Sequence, residues 1–111
     1  MVVDDEQGTN TLAAEYLRLS GFEVLAVYDA GGALAALAAG EAVALVVADQ
    51  RLPDRSGLEL CVEIKALRPG LPVVLLSATG TGRREEAGGP DCWIAKPFRP
   101  KDLVDEVRRL L

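Results

Sequence analysis

Histidine is absent from the 111 residues of this chain. That excludes Ser-His-Asp triads, imidazole acid–base catalysis and histidine ligands to a metal. Cysteine is scarce: Cys61 and Cys92 stand alone, with no CxxC spacing. Reduced, buried thiols are the expected state, rather than a zinc site or a disulfide. Long hydrophobic runs are missing too. The longest, from Ala42 to Ala48, is too short to cross a bilayer. Met1-Val2-Val3 runs straight into acids, so no leader peptide is read there. Basic charge is the minority, 12 residues against 17 acidic ones for a net of −5, and it is scattered. Direct nucleic-acid binding is therefore not expected. Neither is membrane association, and the expected compartment is the cytoplasm.

What the chain does have is apolar content, 50% of its residues. That suffices to bury a core, and the length fits one domain over residues 1–111. Short apolar runs alternate with helical patterns throughout. Strands are expected at Met1–Val3, Val24–Val27, Ala44–Ala48, Val73–Leu76 and Trp93–Ala95. The third is apolar on both faces, as buried parallel strands are. Helices are expected from about Thr9 to Leu19, with Leu12, Ala13, Tyr16 and Leu17 as the inner stripe, and from about Gly32 to Ala39, burying Leu34 and Leu37. A third starts at Ser56, with Glu59 at capping-box spacing, and buries Leu60, Cys61, Ile64 and Leu67. The last begins at Pro100 and buries Leu103, Val107, Leu110 and Leu111. Between the fourth and fifth strands the pattern weakens. Gly80, Gly82, Gly88 and Gly89 leave only Arg83–Ala87 looking helical, so the 79–90 segment is expected to be short or poorly ordered.

Such strand–helix repeats build an α/β fold, a parallel sheet covered on both faces. Ligands bind these sheets beyond the carboxyl ends of the strands. Five polar residues stand at those ends: Asp4 and Asp5 in VVDDE, Asp49 in LVVAD, Ser77 in VVLLS and Lys96 in WIAKP. Taken singly, each is an ordinary cap, turn or surface residue. Their joint occurrence at successive strand ends is specific.

Electrostatics then narrows the use. Two carboxylates about 4 Å apart repel by roughly 4 kcal/mol at an effective dielectric of ~20. One ammonium offsets part of the charge of three carboxylates, and a divalent cation offsets the rest. Carboxylate oxygens plus waters suit Mg²⁺. A carboxylate can also attack phosphorus to give an aspartyl phosphate, with a metal and a lysine stabilising the spread charge. Asp49, the lone acid at the end of the central strand, is the best nucleophile. Asp4 and Asp5 are better placed as metal ligands, and an amide after the fourth strand together with the Ser77 hydroxyl completes the cradle.

On these motifs the chain resembles the receiver domain of two-component response regulators, over essentially its whole length. VVDDE resembles the family's acidic pair and VVADQRLPDRSGLEL its phosphoacceptor strand and loop. VVLLSA resembles the switch-hydroxyl strand and WIAKPF the Lys-Pro segment. The resemblance implies a flavodoxin-like doubly wound sheet of five strands in the order 2-1-3-4-5. It implies that Asp49 is phosphorylated by a sensor histidine kinase or a histidine phosphotransfer protein. Asp5, Asp49 and the backbone carbonyl of Arg51 would bind Mg²⁺ directly, with Asp4 helping through water. Lys96, preceding a typically cis Lys96–Pro97 bond, would pair with Asp49 and then with the phosphoryl group. Ser77 would be the switch hydroxyl and Trp93 the aromatic that moves with it. Ala78 and Arg51 are candidate phosphate contacts. A downstream protein or output domain would read the switched face; no output domain is read within these residues. The domain would be a signalling phosphoacceptor rather than an enzyme, catalysing at most its own phosphorylation and dephosphorylation.

The sequence departs from the family pattern in three places. The first strand is short, the span from Ser77 to Trp93 is roughly one helical turn shorter than usual, and tryptophan is bulkier than the common switch aromatics. A phosphate-independent binding module on the same fold is therefore the alternative. A phosphatase with an aspartyl intermediate usually has an acid two residues after the nucleophile, where Arg51 stands. A flavodoxin-like cofactor binder would need a phosphate-binding loop after the first strand, which this sequence lacks.

Overall fold

Buried parallel strands need helices on both faces, and the alternation in this sequence supplies them. The computed structural model describes residues 1–5, 7–78 and 89–111, with the backbone alone at 7–11. In chain order the elements are β1 (Val2–Val3), α1 (Gln7–Leu19), β2 (Ala26–Val27), α2 (Ala30–Ala38), β3 (Val46–Asp49), α3 (Gly57–Leu67), β4 (Val73–Ser77), β5 (Cys92–Ala95) and α4 (Pro100–Leu110). The strands form one parallel sheet in the order β2-β1-β3-β4-β5. This is the doubly wound, flavodoxin-like arrangement that the sequence implied. The expected Arg83–Ala87 helical turn lies outside the described residues.

Strand alternation sends successive side chains to opposite faces. On one face Val2, Val47, Val74 and Leu76 pack against Ala13, Ala14 and Leu17 of α1 and Leu103 and Val107 of α4. On the other, Val3, Val46, Ala48, Val73 and Leu75 meet Ala30, Ala33 and Leu37 of α2 and Leu60, Cys61 and Ile64 of α3. Leu60, Ile64, Leu75 and Leu103 are fully enclosed. Burying each contributes about 2 kcal/mol of transfer free energy.

Three expected core residues lie outside. Leu12 is 52% exposed, Leu67 54% and Leu111 56%. In α1 the buried stripe is Ala13, Ala14 and Leu17, so small residues face the sheet and Leu12 turns outward. Leu67 closes α3 and Leu111 follows α4, where the helix has passed the edge of the core. Leu34 is only partly buried.

Helix caps account for the start of α3 and for the early start of α2. Ser56 Oγ accepts from the Glu59 amide at 3.0 Å, while Glu59 Oε1 accepts from the Ser56 amide at 3.3 Å, so the expected capping box forms. α2 begins two residues earlier than expected, because Asp29 caps it: Asp29 Oδ1 accepts from the Gly32 amide at 2.6 Å. A carboxylate at a helix start satisfies orphan amides and complements the dipole. Gly21, with φ +96°, turns the chain after α1 in a conformation that favours glycine.

Away from the strand tips, Lys65 Nζ donates to Asp91 Oδ2 at 2.7 Å and to the Leu71 carbonyl at 2.8 Å. Asp91 Oδ2 also accepts from the Val73 amide at 2.8 Å, so one carboxylate joins α3, β4 and the start of β5. Desolvation raises the Asp91 carboxyl pKa. Lys65 and the Val73 amide outweigh it and hold the group below its ordinary range. Cys61 and Cys92 are buried thiols outside any disulfide, as expected. Burial, with a smaller contribution from Asp91, pushes the Cys61 thiol up to about 11, which keeps it protonated and inert.

Candidate functional site

The carboxyl ends of β1, β3, β4 and β5 lie side by side because the sheet is parallel and in register. Asp49 pairs with Leu76, and Ser77 with Ala95. Backbone bonds continue the ladder just past the strands: the Gln50 amide donates to Leu76 O at 2.8 Å and the Lys96 amide to Ser77 O at 2.9 Å. The Asp4 amide donates to Val27 O at 3.1 Å. These bonds fix the positions from which the five polar side chains project.

Asp4, Asp5 and Asp49 converge. Each offers a carboxylate oxygen, and the three oxygens lie within 4.8 Å of one another. Asp4 is 1% exposed and Asp49 5%, whereas Asp5 faces solvent. Lys96 Nζ lies 3.0 Å from Asp49 Oδ1 and 3.8 Å from Asp4 Oδ2. Two buried carboxylates therefore share one ammonium. Like charges this close are costly to bury, and partial neutralisation offsets the cost. The three acids and the lysine keep two negative charges between them, which a divalent cation cancels. Every side-chain ligand in the cluster is a hard carboxylate oxygen. That donor set fits Mg²⁺ and is a poor match for a thiophilic metal.

Ser77 is buried at the end of β4, and Ala78 is exposed just beyond it. Strand alternation carries Ser77 along the α2/α3 face, in line with Val73 and Leu75. Trp93 pairs with Leu75 and packs on the same face, so the hydroxyl and the indole share one side of the sheet. The indole N–H is buried and has no acceptor among the described residues. The Lys96–Pro97 bond is cis.

The loop after Asp49 is closed at its base. Gln50 O accepts from the Gly57 amide at 2.8 Å, Gln50 Oε1 accepts from the Leu58 amide at 2.9 Å, and Arg51 bridges to Ser56. A Cβ at residue 57 would lie 2.5 Å from the Asp49 carbonyl oxygen, so only glycine allows this closure. Arg51, two residues after Asp49, is exposed. Two groups, Asp54 and Asp29, escaped the sequence reading. Asp54, at the loop tip, accepts from the Ala30 amide at 3.0 Å and the Gly31 amide at 2.8 Å. Desolvation raises its carboxyl pKa, and these amides with Arg55 outweigh it and lower the pKa below the ordinary value. For Asp29 the signal was present as Asp29-Ala-Gly-Gly, an N-cap acid followed by alanine and two glycines. The expected helix start at Gly32 falls two residues late.

The family model of the response regulator receiver domain matches residues 1–108. This chain belongs to that family. Among curated relatives of this receiver, the transcriptional regulatory protein CreB of Escherichia coli is 37% identical over 117 residues, covering 99% of the chain and 49% of CreB. The probable transcriptional regulatory protein TcrX of Mycobacterium tuberculosis is 36% identical over 114 residues, covering all of the chain and 48% of TcrX. The chain thus spans about half the length of the curated relatives it matches. Among solved structures, the receiver domain of NtrX from Brucella abortus superposes with a TM-score of 0.85 at 38% identity, covering 99% of this chain and 95% of that one. The response regulator TrrA of Thermotoga maritima, in complex with Mg²⁺-BeF, gives a TM-score of 0.86 at 29% identity, covering 99% and 96%. Receivers are signalling domains rather than conventional enzymes, and no described helix here is long and apolar enough to cross a membrane.

Proposed function

We propose that residues 1–111 act as a phosphorylatable receiver in which Asp49 accepts the phosphoryl group. The observation that carries this reading is the Lys96 ammonium 3.0 Å from the Asp49 carboxylate, beside two further acids at the same strand tips. An Asp49 carboxylate oxygen attacks phosphorus on a phosphohistidine. The new P–O bond forms as the P–N bond breaks, and the donor imidazole leaves with the electron pair and takes up a proton. Lys96 neutralises charge that develops on the equatorial phosphoryl oxygens. Asp5, Asp49 and the backbone carbonyl of Arg51 would hold Mg²⁺, with Asp4 helping through water, and the bound cation would supply further charge neutralisation. The chain has no histidine, so a partner must bring the donor. We assign that role to a sensor histidine kinase or a histidine phosphotransfer protein. An open groove of about 400 Å³, lined by Leu12, Tyr16, Pro97, Phe98 and Pro100 beside Lys96, offers such a partner an apolar seat. Exposed Leu12, unexplained by the core, has a use there.

The phosphoryl group adds negative charge at the tip of β3. Ser77 moves to donate to a phosphoryl oxygen, Trp93 follows it, and the Ala78 amide and Arg51 contact the group. Phosphorylation therefore biases an equilibrium between two arrangements of this face. A downstream protein, or an output domain such as the remaining half of the transcriptional relatives, reads the change. The domain catalyses only its own phosphorylation and dephosphorylation, in the cytoplasm. The test is incubation with Mg²⁺ and acetyl phosphate, followed by intact mass. One phosphoryl adduct is expected on the wild type and none on Asp49→Asn. Equal adducts on both defeat the assignment, and no adduct on the wild type with partner binding intact favours a phosphate-independent module.

A further inference from the structure

The first three amides of α2 are bonded by two carboxylates of different origin. Asp29, the local cap, takes the third, that of Gly32. Asp54, which lies 24 residues beyond Ala30, takes the first two. A local cap bonds one or two orphan amides, and Asp29 already does so. The helix alone therefore does not require a second carboxylate. The bond needs no glycine at its first contact: a Cβ at residue 31 would sit 3.4 Å from Asp54 Oδ2, an ordinary van der Waals separation. The loop that Asp54 crowns leaves β3 directly after Asp49 and carries Arg51. Its base is closed by Gln50, Gly57 and the Arg51–Ser56 bridge. Its tip, Pro53-Asp54, is exposed and is tied to the body of the protein through the Asp54 carboxylate.

We propose that Asp54 is a positioning residue for the cation site, clasping the 50–56 loop to the amino end of α2 so that the Arg51 carbonyl is held beside the Asp4, Asp5 and Asp49 carboxylates. This rests on the metal reading given above and adds to it the element that pre-organises the loop. Two amides gripping the two oxygens of one carboxylate fix both the position and the rotation of the loop tip. A ligand carbonyl on a loop fixed in this way reaches the cation without the entropy cost of ordering it. Residues that orient metal ligands from behind typically change affinity 10- to 100-fold when removed.

The experiment is a titration of the folded protein with Mg²⁺ alone, followed by the amide shifts of Asp49 and Arg51, for the wild type, Asp54→Ala and Asp29→Ala. Asp29→Ala removes a charge of the same sign and a cap bond at the same helix end without touching the loop. It therefore controls for both long-range charge and lost stability. Asp54→Ala is expected to weaken Mg²⁺ binding about tenfold, while Asp29→Ala binds as the wild type does. Asp54→Asn, which keeps one acceptor, is expected to fall between, and it serves if the alanine variant does not fold. Unchanged affinity in the Asp54 variants, or equal weakening in Asp29→Ala, overturns the clasp. A wild type that shows no Mg²⁺ response removes the metal site itself, a distinct result from a wild type that responds alongside an indifferent Asp54 variant.

Discussion

The two faces of the sheet put different chemistry at the same edge. On the α1/α4 face the side-chain alternation of Val2, Val47 and Ile94 continues into Asp4, Asp49 and Lys96, the charged part of the site. On the α2/α3 face the alternation of Val73 and Leu75 continues into Ser77, with Trp93 alongside, both neutral. Buried charges must be held in place, since a displaced partner leaves an ion unpaired in a poor solvent. A neutral hydroxyl and a partly buried indole move at far lower cost. The division would suit the proposed switch, in which the charged groups stay put while Ser77 and Trp93 respond.

The sharpest challenge to that division is Lys96→Ala. Removing the ammonium leaves Asp4 and Asp49 facing each other, and phosphorylation by acetyl phosphate should slow by about a hundredfold, measured as the rate of adduct formation. A rate within a few-fold of wild type would mean that the charged face is not where the chemistry is carried. Next comes Gly57→Ala. The added Cβ would meet the Asp49 carbonyl at 2.5 Å, so the loop must shift. A loss of about 2 kcal/mol in urea unfolding is expected, together with slower phosphorylation.

The Lys65–Asp91 tie sharpens the comparison from outside the site. The folded pKa of Asp91 lies below its ordinary value of 3.8. Its contribution is therefore present above that value and is lost as pH falls through the lower, folded one. Asp91→Asn should be less stable than wild type at neutral pH by no more than about 1 kcal/mol, because the pair is partly exposed and screened. The gap should close in acid below about pH 4, and a gap that widens there would contradict the assignment. The smallest effect is expected for Trp93→Phe. The substitution removes a buried N–H that lacks an acceptor among the described residues, offsetting the lost contact area. Stability within about 1 kcal/mol of wild type is expected by circular dichroism melts. A large loss would show that the neutral face is as tightly specified as the charged one.

Most of the site was legible because it is written at strand ends. VVDDE, LVVAD, VVLLS and WIAKP each pair an apolar run with its terminal polar residue, and parallel register does the rest. The Ser56–Glu59 capping box was readable for a similar reason, since both partners are local in sequence. The failures have a common cause. Leu12 fits the helical stripe of α1, but the small residues Ala13 and Ala14 won the inner position. Asp54 looked like one more polar loop residue because its partners, Ala30 and Gly31, lie in another loop–helix junction. Lys65 and Asp91 likewise meet only once α3 has packed against the sheet.

By itself, then, the sequence determined which residue types stand at the tips of which strands, because hydrophobic period and local caps are short-range properties. The tertiary structure alone decided which charge faces which: that one ammonium serves both Asp49 and Asp4, and that a loop acid closes a helix it does not precede. Distances between groups remote in sequence depend on sheet order and helix packing, and hydrophobic period carries no record of either.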